Sequence, residues 1–108
     1  MTPDNKSQDA RKQTRDIAEA MLSGKMDLIS GARSLCSLRY DIGATDNPVF
    51  FPIVGFESDT DDYPIGEQRQ LYSQILLQEM DKEIQEYVEE SRPSVLEACR
   101  DILEMLGP

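Results

Sequence analysis

From Ser73 to the C-terminus the chain carries an apolar rhythm that a strand cannot use. Leu76, Leu77, Met80, Ile84, Tyr87, Val88, Val95, Ala98, Cys99, Ile102 and Leu106 recur at intervals of three and four, the spacing that lines up one face of an α-helix. A straight helix over 74–106 is roughly 50 Å long at 1.5 Å per residue, and Pro93 stands inside it. Positions 84, 88, 91, 95, 98, 102 and 105 hold one phase through the proline, with Ser91 the weak member. Ser94-x-x-Glu97 has the form of a capping box, which favours a fresh start. Two helices that continue one apolar face, bent at Pro93, satisfy both signals. The strip also resembles a short coiled-coil seam. The bend favours packing within the chain over a long homodimer, so the pattern allows a monomer or a homodimer.

The remaining segments read as shorter helices. Ile17, Ala18, Met21 and Leu22 share a face, and Ser23-Gly24 closes a first helix over 8–22, with residues 1–7 frayed. Leu28, Ile29, Ala32, Leu35, Cys36 and Leu38 form the stripe of a second helix, which Asp41-Ile42-Gly43 closes. Its interior Gly31 marks a close helix crossing, because an unneeded glycine costs about 1 kcal/mol there. The short link makes the two an antiparallel hairpin. Asn47-Pro48 is a helix start, and the stretch Val49 to Phe56 holds all three phenylalanines. It reads as a short helix that plugs the core, with a strand over 51–56 as the competitor. The expected fold is all-α: a small helical bundle in one domain, with an N-terminal hairpin, a central short helix and loop, and a long C-terminal helix bent near Pro93.

Composition narrows the chemistry. The chain of 108 residues has no histidine and only two cysteines, Cys36 and Cys99. Histidine is the one side chain that titrates near neutrality unaided, and a structural zinc site wants four Cys or His ligands. No catalytic residue, metal or cofactor is therefore expected, and the cysteines read as buried reduced thiols. No apolar run reaches the roughly 20 residues of a membrane span, and the polar start lacks a signal-peptide core, so the expected compartment is the cytoplasm.

Charge is unevenly spread. The formal net charge is −10; residues 1–40 carry +2 and residues 41–108 carry −12. Such a chain should be repelled by nucleic acid and anionic membranes and attracted to a basic protein. Glu79, Glu83, Glu86, Glu90, Glu97 and Asp101 repeat at spacings of three, four and seven, with Glu104 continuing the row, so they share a helix face. Three readings fit: a solvated face, internal pairing with Arg11, Lys12 and Arg15, or a docking face for a basic partner.

Ser58-Asp59-Thr60-Asp61 is dense in residues that bond neighbouring backbone N–H groups. Ser58, Asp59, Asp61 and Arg69 read as a structural turn. Asp61 and Arg69 are expected to form a salt bridge or cap that pins the plug to the last helix. A calcium loop beginning at Asp59 would place Pro64 where glycine is required and Gln70 where the bidentate glutamate belongs, so it fails.

Asn47-Pro48-x-Phe50 followed by Ser58-Asp59-Thr60-Asp61-x-x-Pro64-x-Gly66-x-x-Arg69, together with Leu35-Cys36-Ser37-Leu38-Arg39, resembles a signature of small uncharacterised bacterial helical proteins. The resemblance covers residues 17 to about 103 and implies a helical fold and a bacterial cytoplasm, with no activity attached. By class analogy with small acidic immunity proteins, the expected function is a non-enzymatic acidic protein-binding module, an immunity-type or regulatory inhibitor of a basic partner. The alternative is a small ligand-binding or hydrolytic domain with its pocket at Phe50–Arg69.

Overall fold

The computed structural model describes residues 3–107 as an all-α bundle, with no strand among them. Four α-helices form it: α1 over Pro3–Leu22, α2 over Leu28–Asp41, α3 over Phe51–Thr60 and α4 over Gln74–Leu106. A 3-10 turn, Pro48–Phe50, leads into α3, and a 3-10 stretch, Gly66–Leu71, precedes α4. α1 packs on α2 and α4, and α3 packs on the same two, so α1 and α3 lie across the bundle from each other.

The hairpin forms for the reasons its sequence suggests. Gly24, at φ +78°, takes the left-handed turn that ends α1, and the N–H groups of Lys25 and Met26 both donate to the Ala20 carbonyl. Asp27 then caps α2 by accepting from Ser30 N at 2.9 Å. Gly31 is where the two helices touch most closely. A Cβ there would fall 2.4 Å from Met21 Sδ and 2.6 Å from its Cγ. Met21 cannot retreat to solvent, since it is buried and its sulfur lies 3.8 Å from Cys99 Sγ on α4.

α1 starts earlier than the expected residue 8. Further along, it buries Ala10 and Thr14, two small side chains that let the helix lie flat on its neighbour. Thr14 avoids an unsatisfied buried hydroxyl by donating to Ala10 O at 2.7 Å. Residues 1–2, part of the expected frayed arm, lie outside the described residues.

The central segment is the plug its composition suggests. Asn47 accepts from Val49 N at 3.1 Å, and Pro52 falls in the first turn of α3, where its missing N–H is not needed. Phe50, Ile53 and Phe56, spaced by three, are buried in the core with Leu35, Val95 and Ile102, whereas Phe51 faces outward.

α4 runs unbroken through Pro93, so the fresh start at Ser94 does not form. The proline is exposed and costs the helix one internal hydrogen bond. Val88 and Val95 on either side keep the same packed face, and a restart would rotate one of them out of it. Every fully buried residue of α4 lies between Val95 and Leu106. Ile84, Tyr87 and Val88 are partly buried against the core, so the turns before Ile84 overhang the bundle, and the radius of gyration is 14.9 Å against about 13 Å for a compact domain of this length.

Arginines close two helix ends that carry no basic residue of their own. Arg33 of α2 donates to the carbonyls of Thr60 and Tyr63 at 2.8 and 2.6 Å, beyond α3. Arg11 and Arg15 of α1 reach the carbonyls of Leu106 and Gly107 at 3.1 and 2.6 Å. Each places a cation at the negative end of a helix dipole. Both cysteines are free, and burial pushes each thiol up to about 11.

The Gly31 contact yields a paired prediction. Gly31→Ala should lower stability in urea unfolding by about 1–2 kcal/mol, overpacking outweighing the gain in helix propensity. Gly55→Ala in α3, where a Cβ meets nothing within 4 Å, should raise it by about 0.5–1 kcal/mol.

Candidate functional site: an acid-rimmed cleft beside an acidic helix face

The row of carboxylates on α4 is a true face. At 3.6 residues per turn, Glu79, Glu83, Glu86, Glu90, Glu97 and Asp101 fall within about 60° of one another, across the helix from Val95, Cys99 and Ile102. All six are exposed. Among the described residues none of them takes part in an ion pair or side-chain hydrogen bond; the ion pairs there are Arg69 with Asp81 and Arg92 with Glu89. Internal pairing of this face with α1 does not occur, because Arg11 and Arg15 are turned to the end of α4 instead.

The turn residues are placed differently from expectation. Ser58 and Asp59 belong to the last turn of α3, and Asp61 is its C-cap. The helix continues because Thr60 is buried and bonds back to Phe56 O at 2.9 Å, which replaces the turn chemistry that Ser58-Asp59 offers. Asp61 is exposed and makes no ion pair with Arg69. Arg69 does pin the loop to the last helix, but through Asp81: Nη2 meets Oδ2 at 2.8 Å and Nη1 meets Oδ1 at 3.0 Å. The Tyr63 hydroxyl donates to the same carboxylate and accepts from Arg69 at 3.0 Å. These bonds, Arg69 first and Tyr63 second, hold the Asp81 carboxyl below its ordinary value.

Asp81, which the expected site did not include, is marked in the sequence by its register. It sits in the apolar register of Leu77, Ile84 and Val88, at spacings of four and three. A carboxylate in that register implies a partner from elsewhere in the chain.

Between the end of α3 and the first half of α4 lies a cleft of about 280 Å³, lined by Asp59, Asp62, Tyr63, Met80, Glu83, Ile84 and Tyr87. Its floor is apolar and aromatic, and its rim holds three carboxylates. Tyr87 stacks on Phe56 with centroids 5.8 Å apart and donates its hydroxyl to Asp59. That bond raises the Tyr87 phenol, as does its partial burial. It also separates the cleft from a second groove along Pro52, Gly55 and Glu90. Glu83 thus belongs both to the acidic face and to the cleft. Among the described residues no group of three or more acidic or cysteine side chains is placed to hold a metal ion, and no helix is long and apolar enough to cross a membrane.

No family model matches the chain, and no curated protein or solved structure matches it either.

The anchor has a pH signature. A carboxyl lowered in the folded state stabilises above the unfolded value and loses that contribution as pH falls through the folded one. Asp81→Asn should lower the urea midpoint at neutral pH and flatten its further decline below about pH 4, where Asp81 of the parent chain takes up its proton.

Proposed function

We propose that this chain is a non-enzymatic binding module that docks a basic segment of a partner protein along the acidic face of α4 and into the adjoining cleft. One observation carries the reading. Six carboxylates stand exposed on one face, none of them in an ion pair among the described residues. Lys82 is the one cation in the groove of Glu79, Glu83 and Glu86, and Arg11, Arg15 and Arg33 are committed to helix ends. Like charges at such spacings cost a helix a few tenths of a kcal/mol per pair, a penalty that a basic partner removes.

The cleft suits the same chemistry at the scale of a side chain. An arginine or lysine has an aliphatic stem and a cationic head. Met80, Ile84 and Tyr87 offer apolar surface to the stem, and Asp59, Asp62 and Glu83 offer acceptors to the head. Arg69, the cation that a ligand-binding reading of the Phe50–Arg69 segment would use, is engaged by Asp81 and Tyr63. An inhibitor of the immunity or regulatory type fits a surface that works by occupying another protein. The reading places the protein in the cytoplasm, where two free thiols stay reduced, and away from nucleic acid and membranes, which such a surface repels.

Capture from a lysate of the source cells, eluted with a salt gradient, should yield one basic protein in near-equal amount. Reversal of Glu83, Glu86 and Glu90 to lysine should weaken that complex by at least about tenfold and flatten its salt dependence. A folded triple variant that binds with unchanged affinity would sink the claim for this face.

A further inference from the structure

Residues 70–78 hold no charged side chain, in a chain where 30% of residues are charged. All of them except Leu77 are exposed. Leu71 is 84% exposed, Ile75 74%, Leu76 43% and Tyr72 38%. The comparable charge-free stretch, 47–56, instead supplies the buried Phe50, Ile53 and Phe56. The four exposed apolar side chains leave roughly 500 Å² open to water, the scale at which an apolar patch marks an interaction site. The patch also lies at an extremity. A helix the length of α4 spans roughly 50 Å, the longest dimension of the molecule is 49 Å, and these residues sit at the start of that helix.

We infer that this end of α4 is a two-fold interface with a second copy of this chain. A two-fold contact sets a surface against itself, so the surface must be its own complement. The acidic face fails that condition, since it would set carboxylate against carboxylate on two chains that each carry −10. The patch meets it. Leu71, Ile75 and Leu76 bury one another without regard to sign. Gln70, Gln74 and Tyr72 each both donate and accept hydrogen bonds, so identical side chains can satisfy each other across the axis. Contact at the tip of the long axis also holds the acidic remainders of the two chains apart. Two such patches together do not exceed about 1,000 Å², the scale of a weak, concentration-dependent contact. The carboxylates of the partner-binding reading lie outside this patch, so the two readings stand or fall separately.

Sedimentation equilibrium of the full chain tests the inference at low and high salt. The apparent mass should rise from 12.2 kDa toward twice that value with concentration. Added salt should strengthen the dimer by screening its like charges, the opposite of its effect on a basic partner. Leu71→Glu and Ile75→Glu should each weaken dimerisation by about a hundredfold or more, because a two-fold contact buries the new carboxylate twice. Their circular dichroism melts should match the parent chain's, since both positions are exposed in the single chain. A chain that stays monomeric at its highest soluble concentration in high salt overturns the inference. So does a dimer that dissociates as salt is raised, or one that both glutamate variants leave intact.

Discussion

Three helices meet at one sulfur atom. Met21 of α1 fills the space left by the missing side chain at Gly31 of α2 and rests against Cys99 of α4. The approach of α1 to α2 fixes the hairpin, and the approach of α1 to α4 fixes where the long helix lies on it. A larger group at position 31 would push Met21 into α4, so the spacing of all three helices hangs on a side chain of one size. Methionine suits the position because its thioether adapts to an irregular gap and packs well against another sulfur. Phe50, Ile53 and Phe56 then close the remaining side of the core with α3.

The bundle's arginines are spent inside its own architecture. Arg11, Arg15 and Arg33 each reach from one helix to backbone carbonyls at the end of another. These contacts satisfy acceptors that a helix leaves unpaired at its C-terminus and place positive charge where the dipole favours it. The consequence for the surface is direct. Cations tied to helix ends are not available to the carboxylates of α4, and the acidic face keeps an excess of negative charge that Lys82 alone offsets in the groove of Glu79, Glu83 and Glu86.

α4 divides its labour along its length. Its last third is core, with Val95, Ala98, Cys99, Ile102 and Leu106 buried. Ile84, Tyr87 and Val88 are partly buried against that core, and the turns before Ile84 overhang it. The bidentate Arg69–Asp81 pair with Tyr63 ties the preceding loop to that overhang. Tyr63 also lines the cleft, and the Phe56–Tyr87 stack and the Tyr87–Asp59 bond beside it join α3 to α4. α4 thus carries the acidic row and one side of the cleft, which share Glu83, and its start joins the apolar patch that Leu71 and Tyr72 begin.

The sequence by itself determined the helices and most of their faces. Periodicity is a property of neighbouring residues, so the stripe of α2, the Phe50–Ile53–Phe56 plug, the close contact at Gly31 and the exposed row from Glu79 to Asp101 were all legible in the order of the residues. Local signals failed where two of them competed. Ser58-Asp59 reads as a turn, but the buried Thr60 extends the helix; Ser94-x-x-Glu97 reads as a start, but packing at Val88 and Val95 carries α4 through Pro93. Only the tertiary structure decided which distant groups meet. Arg69 chose Asp81 over Asp61, Tyr87 found Asp59, and Arg11 and Arg15 crossed to residues more than ninety positions away. Such pairings depend on how helices lie against one another, and no spacing along the chain encodes that. The same holds for the apolar residues 71–76, which read as core by composition and remain on the surface because α4 is longer than the bundle it packs against.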